Sequence, residues 1–239
     1  MPYAPADQPI AVSPAARTQT ADAIAAVLRV EPTHVEMRPD ERVCLVVLHN
    51  LGDVALHVQA RIFRWNQRDG RDLLRSTAAV QVYPGVIRIE PYARSTMVLT
   101  RESVLRMREE LTYRLVVDRL LDPVRSGDPD VAVFGQCVAV PVFVSLPDTT
   151  AKITWSAYRR GGRLWLEATN YGRRHARVEQ AMFRAGAAPA LNLPAPVYVL
   201  AGASVAFELP WSETTEGPLQ VNYLDDGGER QERVHVLAR

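Results

Sequence analysis

Apolar residues in this chain almost never recur at helical spacing. From residue 27 onward, short alternating or β-branched runs follow one another instead, each bounded by Gly, Pro, Asn or Asp. Runs of that kind bury their apolar faces only by stacking sheet on sheet, so the expected fold class is all-β. VLRVEPTHVEM, RVCLVVLHN, LHVQARIFRW, AVQVY, STMVLT, TYRLVVD and GQCVAVPVFVSLP lead to a Pro/Asp/Thr linker near 146–150. KITWSAY, RLWLEATN, ARVEQAMF, VYVLA, SVAFELP, LQVNYL and ERVHVLA follow it. About seven strands on each side is the number an immunoglobulin-like sandwich uses. The expected organisation is a flexible N-terminal tail over 1–24, a first immunoglobulin-like domain over 25–147 and a second over 148–239. Only RESVLRMREEL, between two of the strands, reads as a helical turn.

An internal repeat supports the division. Asn50-LGDVALHVQARI-Phe63 and Asn170-YGRRHARVEQAM-Phe183 have the same length and share the Asn, a Gly two residues on, Val58 with Val178, and the closing Phe. Each follows an alternating strand, as duplication of one sandwich would leave it. Asn bonds its own backbone and Gly supplies positive φ, so Asn-x-Gly is expected to turn the chain between two strands.

Composition narrows the function by exclusion. With 47% apolar and 23% charged residues the chain is neither disordered nor membrane-like, and a net charge of +1 provides no field for an anionic partner. No apolar run approaches the roughly 20 residues that span a bilayer, so membrane insertion is not expected. The basic stretches NQRDGRDLLR and YGRRHAR lack interleaved aromatics, which argues against nucleic acid. MPYAPADQPIAVSPAARTQTADA has no basic region followed by an apolar core and does not read as a signal peptide. Motifs for a nucleophile elbow, a P-loop or a dinucleotide fold are missing. His34, His49, His57, His175 and His235 are scattered, and the carboxylates gather in turns such as RPDER and DDGGERQE. The chain is not expected to be an enzyme.

What remains is the run ending in AVPVFV. Phe134, Gln136, Val138, Val140 and Val142 alternate with Cys137, Ala139 and Phe143, both faces are mostly apolar, and Pro141 interrupts the middle. Proline gives a ladder no N–H and belongs at a sheet edge, where a long apolar strand invites pairing with another chain. Such an edge has a use when it completes a partner's sheet by strand addition. Alternatively, these residues simply close the first sandwich.

At this point the sequence resembles a family, the periplasmic chaperones of pilus and fimbria assembly, and within it the archaic, spore-coat-like branch of the chaperone-usher pathway. The resemblance rests on VEPTHVEM, Asn-Leu-Gly after the second strand, VQARIFRWNQ, Ile89-x-Pro91, TYRLVVD and AVPVFV in order, and more loosely on Trp155, Asn170, Tyr198 and the Asp226-Gly-Gly turn. It implies two immunoglobulin-like domains with a cleft between them, no metal and no cofactor. It implies a periplasmic chaperone that stabilises pilus or spore-coat-like subunits by donor-strand complementation and delivers them to an outer-membrane usher. The donor face would be Ala132, Phe134, Gln136, Val138 and Val140, and Arg114 would anchor the subunit's C-terminal carboxylate. Glu109 or Glu110 is the local alternative for Arg114. The sequence departs from the family's pattern at His34, Val98, Arg119 and Pro141. The second reading is a two-sandwich surface or structural binding module without chaperone activity.

Two expectations concern side-chain direction. Phe134, Val138 and Val140 should be more exposed than Val133, Cys137 and Ala139 while they await a partner. Cys44 and Cys137 should be free, buried thiols on strands of different sheets.

Overall fold

The computed structural model describes residues 10–12, 27–102, 107–120, 134–185, 190–193, 196–210 and 218–237. Among them the regular structure is entirely β. The helical turn expected in RESVLRMREEL falls partly on residues 103–106, outside the described set, and residues 107–110 are not helical. The chain forms two compact units. Of the described residues, the first includes 10–11, 27–66 and those of 73–146; the second holds those of 147–239 together with Val12 and the short segment Gln67–Asp72.

The strands lying wholly or mostly in the first unit are β1 (Ile10–Val12), β2 (Leu28–Glu31), β3 (Val35–Met37), β4 (Val43–Asn50), β5 (Leu56–Arg68), β6 (Arg71–Ser76), β7 (Val80–Tyr83), β8 (Val86–Ile89), β9 (Arg94–Arg101), β10 (Leu111–Leu120) and β11 (Phe134–Val144). One sheet runs β1-β6-β5-β10-β11-β3, with β8 also pairing β5, and the other runs β2-β4-β9-β7. The run expected as a single first strand is two strands in different sheets. It breaks at Pro32, which has no N–H to continue a ladder. Alternation does the rest. Val46 and Leu48 from one sheet meet Val58, Leu115, Val117, Val140 and Val142 from the other in one core, each at most 1% exposed.

The second unit holds β12 (Ile153–Arg160), β13 (Arg163–Asn170), β14 (Ala176–Val178), β15 (Gln180–Ala185), β16 (Leu191–Asn192), β17 (Val197–Val199), β18 (Ser204–Leu209), β19 (Leu219–Asp225), β20 (Gly228–Val234) and β21 (Val236–Leu237). Sheets β18-β13-β12-β21 and β16-β15-β19-β20 enclose a core around Leu166, Phe183 and Val221, and β14 pairs β17. Trp155 meets Phe183 and Tyr223 edge-on within that core, at centroid distances of 5.7 and 5.5 Å.

The sequence repeat is a structural repeat. Asn50 and Asn170 end β4 and β13, are 1% and 0% exposed, and turn the chain with three corresponding bonds and a fourth that differs. Asn50 Oδ1 accepts from Gly52 N–H at 3.0 Å, and Nδ2 donates to the carbonyls of Val54, Ile89 and Glu90. Asn170 Oδ1 accepts from Gly172 N–H at 2.9 Å and from Lys152 N–H, and Nδ2 donates to the carbonyls of Arg174 and Val199. The glycines, however, are not there for positive φ. A Cβ on Gly172 would lie 2.3 Å from the Thr150 carbonyl oxygen, and one on Gly52 would lie 2.4 Å from Val27 Cγ1. Space, rather than backbone freedom, selects glycine at both turns.

Candidate functional site on the edge strand

β11 pairs antiparallel with β10 along nearly its whole length, Leu111 opposite Val144 and Leu120 opposite Phe134. On its other side it meets β3 only at Val142, Phe143 and Val144. Residues 134–141 therefore have one side in the sheet and, among the described residues, no ladder strand on the other. The N–H of Ser145 reaches the carbonyl of Met37 just past β3. By the two-residue period of a strand, the backbone N–H groups of Cys137 and Ala139 point to that same outer side, as does the nitrogen of Pro141. Pro141 stands where its missing N–H costs the β10 ladder nothing, one residue before pairing with β3 begins.

The side chains are arranged the other way from the expectation. Register with β10 sets Val138, Val140 and Val142 beside Val117, Leu115 and Tyr113, on the face that looks at the second sheet. Val140 is 1% exposed and Val138 half-buried, whereas Cys137 and Ala139 are exposed. An edge position frees a strand's backbone, but its inner side chains still pack on the facing sheet. Of the expected donor face, Ala132 lies outside the described residues, as does Val133, and of Phe134 only the strand backbone is described. Gln136, Val138 and Val140 all lie on the inner face.

Cys137 was expected in the core and is on the outer face. Cys44 is half-buried against the core of the first unit, on a strand of the other sheet. Both thiols are free. Cys137 stands opposite Asp118, whose carboxylate takes a 2.7 Å ion pair from Arg61. Although the residue as a whole is exposed, desolvation of the sulfur first, and the hydrogen bond and charge of Asp118 next, push this thiol up to about 11. Only the thiolate attacks alkylating agents. Cys137 is therefore expected to react with iodoacetamide at pH 8 about tenfold more slowly than a thiol at the ordinary value of 9.0, its smaller thiolate fraction being partly offset by greater nucleophilicity. Labelling at the rate of a small-molecule thiol would show that the sulfur is neither desolvated nor held by Asp118 in this way. Because the folded chain keeps this proton more tightly than the unfolded one, the associated stability is complete below pH 9 and is lost as the pH climbs toward 11.

Arg114 sits on the outer face of β10, opposite Phe63 of β5 and Pro141 of β11. Its guanidinium stacks on the Trp65 ring, 3.6 Å from the centroid. Trp65 and Phe143 are each 0% exposed, with ring centroids 6.0 Å apart, and Thr112 Oγ1 donates to the Trp65 carbonyl at 2.5 Å. Glu110, offered by the sequence as a partner for Arg114, accepts a hydrogen bond from Ser145 Oγ at 2.7 Å. The other departures from the family pattern are spread out. His34 lies between β2 and β3, and Arg119 lies opposite Val58. Val98 completes an outward row with Leu45 and Tyr83, which are 57% and 75% exposed. Sequence reasoning missed that apolar row, whose signal was the alternation Val43, Leu45, Val47. Among the described residues no three His, Cys, Asp or Glu side chains gather as a metal site would.

Stacked sheets in each of two units, with an edge strand open over residues 134–141, define a two-domain β-sandwich protein. The family model for pili and flagellar-assembly chaperones, PapD N-terminal domain, matches residues 27–143. The first unit thus belongs to the family of pilus-assembly chaperones. Solved structures carry the likeness over both units. A chain of the CsuC–CsuE chaperone–tip adhesion subunit pre-assembly complex, from archaic chaperone-usher Csu pili of Acinetobacter baumannii, matches with a TM-score of 0.67 at 21% identity, covering 89% of this chain and 100% of that one. The E. coli chaperone DraB matches with a TM-score of 0.57 at 18% identity, over 88% of this chain and 96% of its own. A chain of the SafA pilin–SafB chaperone complex from Salmonella enterica gives 0.57 at 15% identity with the same coverage. At these identities the likeness is one of fold. No curated protein matches the sequence.

Proposed function

We propose that this protein is a periplasmic chaperone that holds a pilus or spore-coat-like subunit by lending it β11 as a missing strand, and passes it to an outer-membrane usher. The observation that carries the reading is the outer side of residues 134–141, which pairs with no strand among the described residues and toward which the N–H groups of Cys137 and Ala139 point. Strand addition draws its affinity from such main-chain groups. The archaic branch is favoured by the likeness to the Csu complex together with the Tyr113-Arg114-Leu115 motif. Arg114 is the proposed anchor for the subunit's terminal carboxylate. A guanidinium stacked by its face on an indole hydrogen-bonds through its rim, the fork that two carboxylate oxygens match.

Coexpression with a pilus or spore-coat-like subunit, followed by a pull-down, tests the reading. Ala139→Pro removes one outward N–H at an exposed position and leaves the β10 ladder whole, so capture should fall more than tenfold with melting nearly unchanged. Undiminished capture by that variant would sink strand addition at this edge. Arg114→Lys keeps the charge and loses the fork, and should weaken capture by about tenfold. If capture stays at the wild-type level while the protein remains folded, Arg114 is not the anchor.

A further inference from the structure

β2 is an edge strand. Its inner side pairs with β4, Leu28 opposite Asn50, and among the described residues no strand lies on its outer side. Gln136 takes that place with its side chain. Oε1 accepts the Leu28 N–H at 3.0 Å, and Nε2 donates to the Leu28 carbonyl at 2.7 Å. A primary amide offers one acceptor and one donor side by side, as the peptide group of a neighbouring strand does. The contact joins the open stretch of β11, in one sheet, to the open edge of β2, in the other.

We propose that Gln136 is a clasp that shuts the open side of the first sandwich in the free protein and releases the Leu28 N–H and carbonyl when a partner strand is added. The clasp accounts for a polar residue on a face otherwise made of Val138, Val140 and Val142. It also gives the molecule a way to keep the open edge of β2 from templating further copies. Closure stands on the hydrogen bonds alone, and release rests on the donor-strand reading above.

Amide hydrogen exchange at Leu28, followed by NMR, tests both halves. Gln136→Met has similar length and no amide, and should speed Leu28 exchange by about tenfold or more. Gln136→Glu keeps the acceptor and loses the donor, and should fall between. The Met97 amide, deep in the other ladder, should be unchanged in both and so reports that the variants fold. If Leu28 exchanges at the wild-type rate in both variants, there is no clasp. In the purified complex with the subunit, Leu28 protection should no longer depend on residue 136. Faster exchange in the Met variant's complex would mean that the clasp stays shut, which overturns release. Should no subunit be captured at all while the free-protein effect is present, the donor reading and release both fall and closure is supported by itself.

Discussion

Asn170→Ala is expected to destabilise the second unit by about 3 to 5 kcal/mol, and Asn50→Ala the first by a similar amount. Each side chain is almost wholly buried and makes four hydrogen bonds, all to backbone groups. Alanine leaves those N–H and carbonyl groups facing one another with no partner, and each buried orphan costs on the order of 1–3 kcal/mol before relaxation or entering water recovers part. Asn170→Asp separates this account from loss of volume. It keeps the size and the acceptor, but aims a second oxygen at the carbonyls of Arg174 and Val199. It should cost as much as alanine. Chemical denaturation of the variants measures both, and an Asp variant as stable as wild type would remove the hydrogen-bond hub from the account of the fold.

These asparagines also mark what the sequence makes legible. Period-two alternation and turn residues were enough for the all-β class, and the paired Asn-x-Gly segments for a sandwich present twice. The reason for the glycines was not legible. Crowding at Gly172 comes from the backbone of residues 150–152, which no local pattern connects to the turn. β11 shows the same limit in the candidate site. Both of its faces are apolar, so alternation identifies a strand without saying which face is inside. That choice comes from the pairing of Val140 with Leu115 and of Cys137 with Asp118, a register between segments far apart in the chain. Pro141, by contrast, was a readable sign of a sheet edge, since proline within a ladder is tolerated only where its nitrogen points outward. The stack of Arg114 on Trp65 needed β5 and β10 to be neighbours before it could be seen.

Val140→Glu is expected to unfold the first unit rather than to disarm a folded protein. At 1% exposure the residue lies between the sheets with Leu115 beside it, so a carboxylate there would be set into the apolar core. Burying it costs about 4 kcal/mol or more in either form, as a neutral acid with unmet hydrogen bonds or as an unpaired charge. Ala139→Glu, one residue away on the exposed face, should leave the melting temperature within a few degrees of wild type. The contrast separates two ways of lending a strand. If donation uses the inner side chains of residues 136–140, a partner has to prise β11 off its own core, and any variant that weakens capture through Val140 also weakens the fold. If donation uses the outer backbone edge, capture and stability come apart, with Ala139→Pro abolishing the first and Val140→Glu the second. A Val140→Glu protein that melts like wild type and still fails to bind would overturn the inward assignment of that face and return the donor role to the inner side chains.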